Sequence, residues 1–221
     1  MSTTFQPFGL KPVYHPSGLD RAVPFAGTNS YVTGVSGYSA PYSLSSGQSF
    51  WQYQPVAITS SGQLTIANQT ASSGKVYGVF DGVEYTSAEG RRSVSKYAAK
   101  TTLDAATNIV FWIFADPGLV YEAQINGSAT SASIGQEYNF DTTTGYTVSD
   151  GYAIGNGGAG FSTTALLATA VGSTNQGQVR VVGLGREVAY PAGNTNAWGD
   201  TYTIVQVQIC NNQFAAPSTS V

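Results

Sequence analysis

A scarcity of charge is the feature that most limits what this chain can fold into. Asp, Glu, Lys and Arg make up 10% of the 221 residues, against about 25% in ordinary globular domains. None of the four types occurs between Arg21 and Lys75. Helical bundles and coiled coils need abundant Glu, Lys, Arg, Leu and Ala. This chain is instead rich in glycine, serine, threonine, asparagine and tyrosine. The composition therefore excludes those two architectures.

Short β-prone segments separated by turn residues predict an all-β domain, a β-barrel or a sandwich-like fold with long Gly/Ser/Thr-rich loops. Val76–Tyr85 predicts either a hairpin that turns at Asp81-Gly82 or one long strand with a glycine-marked bulge. Two further segments that predict strands are Gln178–Val182 and Thr201–Ile209. In the second of these, Val205, Val207 and Ile209 share one face.

Two segments carry proline signals. Residues 108–114 and 119–125 flank Ala115-Asp116-Pro117-Gly118, whose proline and glycine suit a tight turn, and this pattern predicts a hairpin. Phe50–Ile58 is aromatic and β-prone, but Pro55 lacks an N–H group. It therefore confines that segment to a sheet edge or interrupts it.

Residues 1–25 predict an extended N-terminal arm. Four prolines in this segment exclude a continuous helix or a central strand. Apolar side chains such as Phe5 and Phe8 give the arm anchors that a disordered tail lacks. Whether the arm wraps its own domain or reaches a partner is left open by the sequence.

The rest of the chain predicts a β-rich domain over residues 26–214 and a short mobile tail over 215–221. The domain is either single or divided into two near residues 126–160, a stretch rich in Gly, Ser, Thr and Asn. At most one short helix is expected, at Ser162–Val171, because of its alanine and leucine content.

The charge pattern bears on partners. A net charge of -3 and a pI near 4.9 argue against nucleic-acid binding through a basic surface. The uncharged, tyrosine-rich stretch after Arg21 favours a surface that lies against another protein, because interface cores are poor in charge and rich in aromatics. A hydrated neutral surface is the alternative.

No signal peptide is visible, and the longest apolar run, Ile109–Ala115, is too short to span a bilayer. We expect a soluble protein made in a cytoplasm.

Residues that could carry chemistry are few. A Ser-His-Asp mechanism would have to use His15, the only histidine, and an extended arm is poorly suited to hold a catalytic base. One histidine and the single Cys210 cannot form a zinc site, and the lone thiol is expected to be buried. Gly155–Gly160 matches a dinucleotide-binding pattern, but no strand and helix flank it. We expect no catalytic residue, no metal and no cofactor.

Two weaker functional candidates stay open at this stage. Glu122 with Glu137 is a conceivable carboxylate pair for glycoside hydrolysis. Trp198, in a loop rich in asparagine and glycine, is a conceivable stacking platform for a sugar. The second candidate would make the chain a carbohydrate-binding module or adhesin on a particle surface.

Short motifs across most of the chain resemble the head decoration proteins of tailed bacteriophages, also called capsid cement proteins. The resemblance begins at Phe8-Gly9-Leu10-Lys11-Pro12 and His15-Pro16-Ser17-Gly18. It continues in Gly78–Tyr85 and Asp116–Glu122, and then in Val181–Leu184 and Val207–Ile209, up to Asn211 and Phe214.

That resemblance implies a β-rich, non-enzymatic virion protein on the outer capsid surface. It would bind the major capsid protein, stabilise contacts between neighbouring capsomers and form a homotrimer, with no nucleic-acid or membrane partner. An arm of this kind can add to a neighbouring sheet through main-chain hydrogen bonds. The expected capsid contacts are Phe5, Phe8, Leu10 and Lys11.

Overall fold

The fold is all-β, as the sequence predicts. The structure is a computed structural model that describes residues 4–18, 21–25, 40–67, 74–141, 162–172, 175–186, 188–189 and 194–214. The Gly155–Gly160 motif, most of the 126–160 stretch and the 215–221 tail lie outside these residues. None of the helices within them is long and apolar enough to cross a membrane.

Fifteen short strands are found in the described part of the chain. One helical turn, α1 (Lys100–Asp104), and one 3-10 turn, Ser131–Ser133, accompany them. The strands are β1 (Lys11–Tyr14), β2 (Val23–Phe25), β3 (Ser49–Trp51), β4 (Gln54–Ile58), β5 (Leu64–Ile66), β6 (Gly78–Thr86), β7 (Arg92–Ser95), β8 (Tyr97–Ala99), β9 (Thr107–Phe114), β10 (Val120–Gln124), β11 (Glu137–Tyr138), β12 (Val179–Leu184), β13 (Val188–Ala189), β14 (Asn194–Thr195) and β15 (Ile204–Ile209).

Two antiparallel sheets organise these strands. The five-stranded sheet has the order β1-β10-β15-β12-β11. The six-stranded sheet has the order β2-β9-β6-β4-β5, and β7 pairs with the second half of β6. Two smaller sheets, β3-β8 and β13-β14, complete the set. The chain passes from the six-stranded to the five-stranded sheet at residues 115–119, ahead of the 126–160 interval considered above.

Each sheet has its own apolar cluster, because β-branched and aromatic side chains alternate along its strands. One cluster surrounds the five-stranded sheet and centres on Tyr121, Val181 and Val207. The other lies on the six-stranded sheet and centres on Phe50, Phe80 and Phe111, whose rings contact one another. The first cluster also contains Val79 and Phe114, which belong to β6 and β9 of the six-stranded sheet. The two sheets therefore pack against each other through this cluster.

Of the two predictions for Val76–Tyr85, the long strand is confirmed. β6 runs without a turn through Asp81-Gly82, and its pairing with β9 shifts register between Phe80 and Gly82. Such a bulge bends the strand and lets an extra residue leave the ladder. Asp81 lies at that point and accepts from Lys96 and Gln52.

The hairpin predicted around Ala115-Asp116-Pro117-Gly118 is wrong. Both flanking strands form, but β9 pairs with β2 and β6, whereas β10 pairs with β1 and β15. The turn therefore joins two sheets and not two neighbouring strands. Turn residues set the local backbone direction, and the partners of the flanking strands are set by packing.

The helix predicted at Ser162–Val171 is also wrong. This segment is extended, and Leu166 forms isolated bridges to Ile125 and Phe140. Its backbone oxygen accepts from the N–H of Asn126. Tertiary hydrogen bonds in a buried site outweigh a weak preference for helix, especially next to the β-branched Thr163 and Thr164.

Phe50–Ile58 is interrupted, as one reading of Pro55 predicted, but the break lies at Gln52-Tyr53, before the proline. Tyr53 adopts a left-handed backbone conformation with φ of 65°. β4 itself is not an edge strand, since β5 and β6 flank it. Pro55 is tolerated because the β5 pairing begins only at Val56.

Removing one buried hydroxyl tests the junction between the sheets. Tyr121 is fully buried, and its hydroxyl donates to the backbone oxygen of Phe114 at 3.2 Å. Burial raises the pKa of this phenol, which stays neutral. We expect Tyr121→Phe to lower the free energy of unfolding by about 1–2 kcal/mol, because a buried carbonyl loses its partner. Urea denaturation measures this, and Tyr85→Phe, at a half-buried position, should change it by less than half as much.

The single thiol gives a second test. Cys210 is partly buried, and its Sγ lies 3.1 Å from the backbone oxygen of Gly177. Burial, and then the nearby Glu137 carboxylate, raise its pKa from 9.0 to about 12. The thiolate fraction at pH 8 should then be lower by about a thousandfold. We expect an aromatic disulfide reagent to react slowly with the folded chain and rapidly in urea; equal rates would contradict the burial of this thiol.

Candidate functional site

The N-terminal segment joins the two main sheets. β1 pairs with β10 at the edge of the five-stranded sheet, and β2 pairs with β9 at the edge of the six-stranded sheet. Between β1 and β2 the chain crosses from the first sheet to the second, alongside the opposite crossing from β9 to β10. The segment predicted as an arm is therefore extended, and it lies against its own domain.

A glycine lets this segment enter the fold. Gly9 has φ of +78°, and a Cβ there would lie 2.4 Å from the backbone oxygen of Tyr53. The N–H of Leu10 donates to that same oxygen at 2.8 Å, and the N–H of Gly9 donates to the oxygen of Thr164. The left-handed Tyr53 thus turns its carbonyl toward the incoming segment. The Phe8–Pro12 motif is explained by this close backbone approach.

The four predicted contact residues differ in exposure. Leu10 is 1% exposed and belongs to the core around the five-stranded sheet. Phe5 is half-buried, and its ring lies 5.2 Å from that of Tyr202. Phe8 is half-buried, as is Lys11, which lies opposite Glu122 in the β1-β10 ladder. In this fold Leu10 is a core residue, and the other three keep part of their surface.

Exposed apolar side chains flank the crossing of the N-terminal segment. Tyr14, at the end of β1, is 44% exposed, and Val23, at the start of β2, is 42% exposed. Three prolines near these side chains are also exposed: Pro16 after β1, Pro24 in β2 and Pro117 in the crossing from β9 to β10. Proline at a sheet edge removes a backbone donor, so β1 and β2 are poorly suited to pair with a further strand. Any contact here would be made through side chains.

His15 joins the two crossings. Its Nδ1 lies 2.6 Å from Ser17 Oγ and accepts from the Ser17 N–H at 3.1 Å. Its Nε2 lies 3.1 Å from Asp116 Oδ1 in the β9-β10 crossing. Because a backbone N–H points at Nδ1, the network assigns the proton of the neutral ring to Nε2, which donates to Asp116. The sequence pointed to no partner for His15, although both partners lie in its turn motifs.

The surroundings hold this arrangement in place. The His15 side chain is 11% exposed, and a Cβ on Gly118 would lie 2.8 Å from its Nε2. The N–H of Gly118 donates to Asp116 Oδ1 at 2.8 Å. This backbone hydrogen bond, followed by that of His15, lowers the pKa of Asp116, which stays ionised beside the ring.

A serine, a histidine and an aspartate in this order have the geometry of an activated nucleophile. The neighbouring backbone donors are already engaged: the Ser17 N–H bonds to His15 Nδ1, and the Gly18 N–H bonds to the His15 oxygen at 2.8 Å. Acyl transfer from an amide needs donors for the developing oxyanion. The arrangement can activate a hydroxyl, and neither of these two N–H groups is free to stabilise that charge.

The other candidate carboxylates do not come together. Glu122 is buried on β10 and accepts from the N–H of Arg186. Glu137 lies on β11, three strands away, and pairs with Arg180 at 2.7 Å. Three strand spacings amount to about 14 Å, beyond the range of a glycosidase pair. Within the described ranges no three His, Cys, Asp or Glu side chains could jointly hold a metal ion.

Two further surface features have local partners. The basic cluster near β7 is largely compensated, since Arg92 pairs with Glu84, Lys96 with Asp81 and Lys100 with Asp104. Trp198 is half-buried and packs against the core around the five-stranded sheet.

Comparisons with protein-family models, curated proteins and solved structures found no match to this chain.

Adding one methyl group at Gly9 tests the close approach of the N-terminal segment to the Tyr53 backbone. Gly9→Ala imposes a left-handed conformation on an L-residue and drives its Cβ into the Tyr53 carbonyl. We expect a loss of about 3 kcal/mol or more in the free energy of unfolding. Gly90 has the same φ with open space around it, so Gly90→Ala should lose only about 1 kcal/mol. If denaturant titrations give equal losses in the free energy of unfolding for the two variants, the close approach at Gly9 does not contribute to stability.

Proposed function

We propose that this chain is a capsid decoration protein of a tailed bacteriophage. It binds the outer surface of the assembled shell as a homotrimer, contacts the major capsid protein and stabilises neighbouring capsomers against each other. The proposal rests on the resemblance of the motifs from Phe8 to Phe214. Two of these motifs, Phe8–Pro12 and His15–Gly18, form the N-terminal segment that joins the two sheets.

The assignment of the contact surface rests on one observation. Tyr14 and Val23, on either side of the crossing between β1 and β2, are exposed. Among the described residues near it, Pro16, Pro24 and Pro117 are exposed, as are the charged Arg21 and Asp116. Exposed aromatic and aliphatic side chains are typical anchors of protein interfaces. The proposed contact therefore moves from Leu10, which is buried, to the exposed side of the same segment.

Deleting residues 1–24 is a poor test, because the deletion removes β1, most of β2 and the core residue Leu10. Point variants on the exposed side avoid this. The measurement is cosedimentation of the purified chain with assembled shells that lack it. We expect saturable binding by the wild type, and at least tenfold weaker binding by the Tyr14→Ser/Val23→Ser double variant, since losing an interface anchor typically costs about 2 kcal/mol.

Val94→Ser is the matched control, because Val94 is 70% exposed on β7, far from the N-terminal segment in sequence. It should bind like the wild type. If the double variant binds normally, the contact surface is assigned wrongly. If the wild type itself does not bind shells, the decoration function fails and a glycan array becomes the next experiment. Light scattering of the free chain reports the trimer separately.

A further inference from the structure

The structure places the only histidine between a serine and an aspartate, in the same crossing that Tyr14 and Val23 flank. We propose that Ser17 is a nucleophile that accepts acyl groups from activated esters, with His15 as its general base and Asp116 as the group that orients His15. This inference does not depend on the decoration function. It concerns a modification site with one acyl transfer per chain.

The geometry supplies the three elements that such a nucleophile needs. Ser17 Oγ is within 2.6 Å of the base, and the base is within 3.1 Å of its orienting carboxylate. Ser17 is exposed, so a small ester can reach it. Asp116 is held by the N–H of Gly118, and its lowered pKa keeps it charged. Positioned base catalysis typically contributes about 10²–10⁴-fold.

The step balances within these groups and the ester. Ser17 Oγ forms a bond to the acyl carbon and gives its proton to His15 Nδ1, while Asp116 stabilises the imidazolium through Nε2. The bond between the acyl carbon and the aryl oxygen breaks, and the phenolate leaves with the electron pair. The imidazolium then releases its proton to water, and acyl-Ser17 remains.

The engaged backbone donors define the class of acyl donor. Before proton transfer the N–H groups of Ser17 and Gly18 both have acceptors, so they form no preorganised oxyanion site; the Ser17 N–H loses its acceptor only when His15 Nδ1 takes the proton. Esters with a good leaving group depend least on that stabilisation. We therefore expect p-nitrophenyl acetate to react in a single burst, with slow release of the acetyl group.

The chain contains its own reference serine. In the turn Thr59–Gly62, the N–H of Gly62 donates to the oxygen of Thr59 at 2.9 Å, and Gly62 has φ of 75°. Gly18 has the same φ and bonds to the His15 oxygen in the same way. Ser61 thus occupies the position of Ser17 in an equivalent exposed turn, with threonine in place of the histidine.

The experiment is timed acetylation of the full chain by p-nitrophenyl acetate, with peptide mass spectrometry to locate the acetyl groups. We expect Ser17 to react at least about 100-fold faster than Ser61. His15→Asn should reduce Ser17 to the rate of Ser61, because an asparagine side chain can still accept the Ser17 N–H but is not a base. Thermal melting verifies that this variant folds.

Two results would overturn the proposal. One is acetylation of Ser17 and Ser61 at equal rates in the wild type. The other is an unchanged Ser17 rate in a folded His15→Asn variant, which would mean that exposure alone makes the serine reactive. Asp116→Asn should give an intermediate rate, because the base remains and only its orientation and charge stabilisation are weakened.

Discussion

The pairing of one N-terminal segment with both sheets is the constraint on which the rest of this structure depends. β1 completes an edge of the five-stranded sheet, and β2 completes an edge of the six-stranded sheet. The crossing between them runs beside the crossing from β9 to β10. His15 and Asp116 connect the two crossings, and the Tyr121 hydroxyl bonds to Phe114 across the second one. Two sheets with separate apolar clusters are thereby held as one body.

The sequence predicted strands better than it predicted their partners. Alternation located β15, whose valines face the core, and Gly82 indicated either a turn or a bulge, of which the structure has the bulge. Both signals are local, because side-chain period and backbone freedom belong to the strand itself. The turn at Asp116–Gly118 was found for the same reason. Its role as a connection between sheets depends on β1, β2 and β15, which are distant in sequence, and no local pattern reports them.

The candidate site shows the same division. The prolines predicted an extended N-terminal segment, and an extended segment was expected to give His15 no rigid environment. The segment is docked, however, and Asp116 reaches His15 from a turn about a hundred residues later. Leu10 was predicted as a surface anchor because it is apolar in an arm; it is a core residue because Gly9 lets the backbone approach Tyr53. Burial was the missing information in both cases.

The position of β15 has a consequence for how the chain acquires its structure. β15 lies in the middle of the five-stranded sheet, between β10 and β12, yet it is the last of the five strands in chain order. Until it has left the ribosome, β10 and β12 lack their shared partner, and β1 has only an incomplete sheet to join. Native pairing of this sheet therefore waits for β15, and contacts of such high sequence separation form slowly. During that interval the apolar faces of the early strands are exposed, and the scarcity of charge that marks the folded chain leaves little electrostatic repulsion to oppose their association.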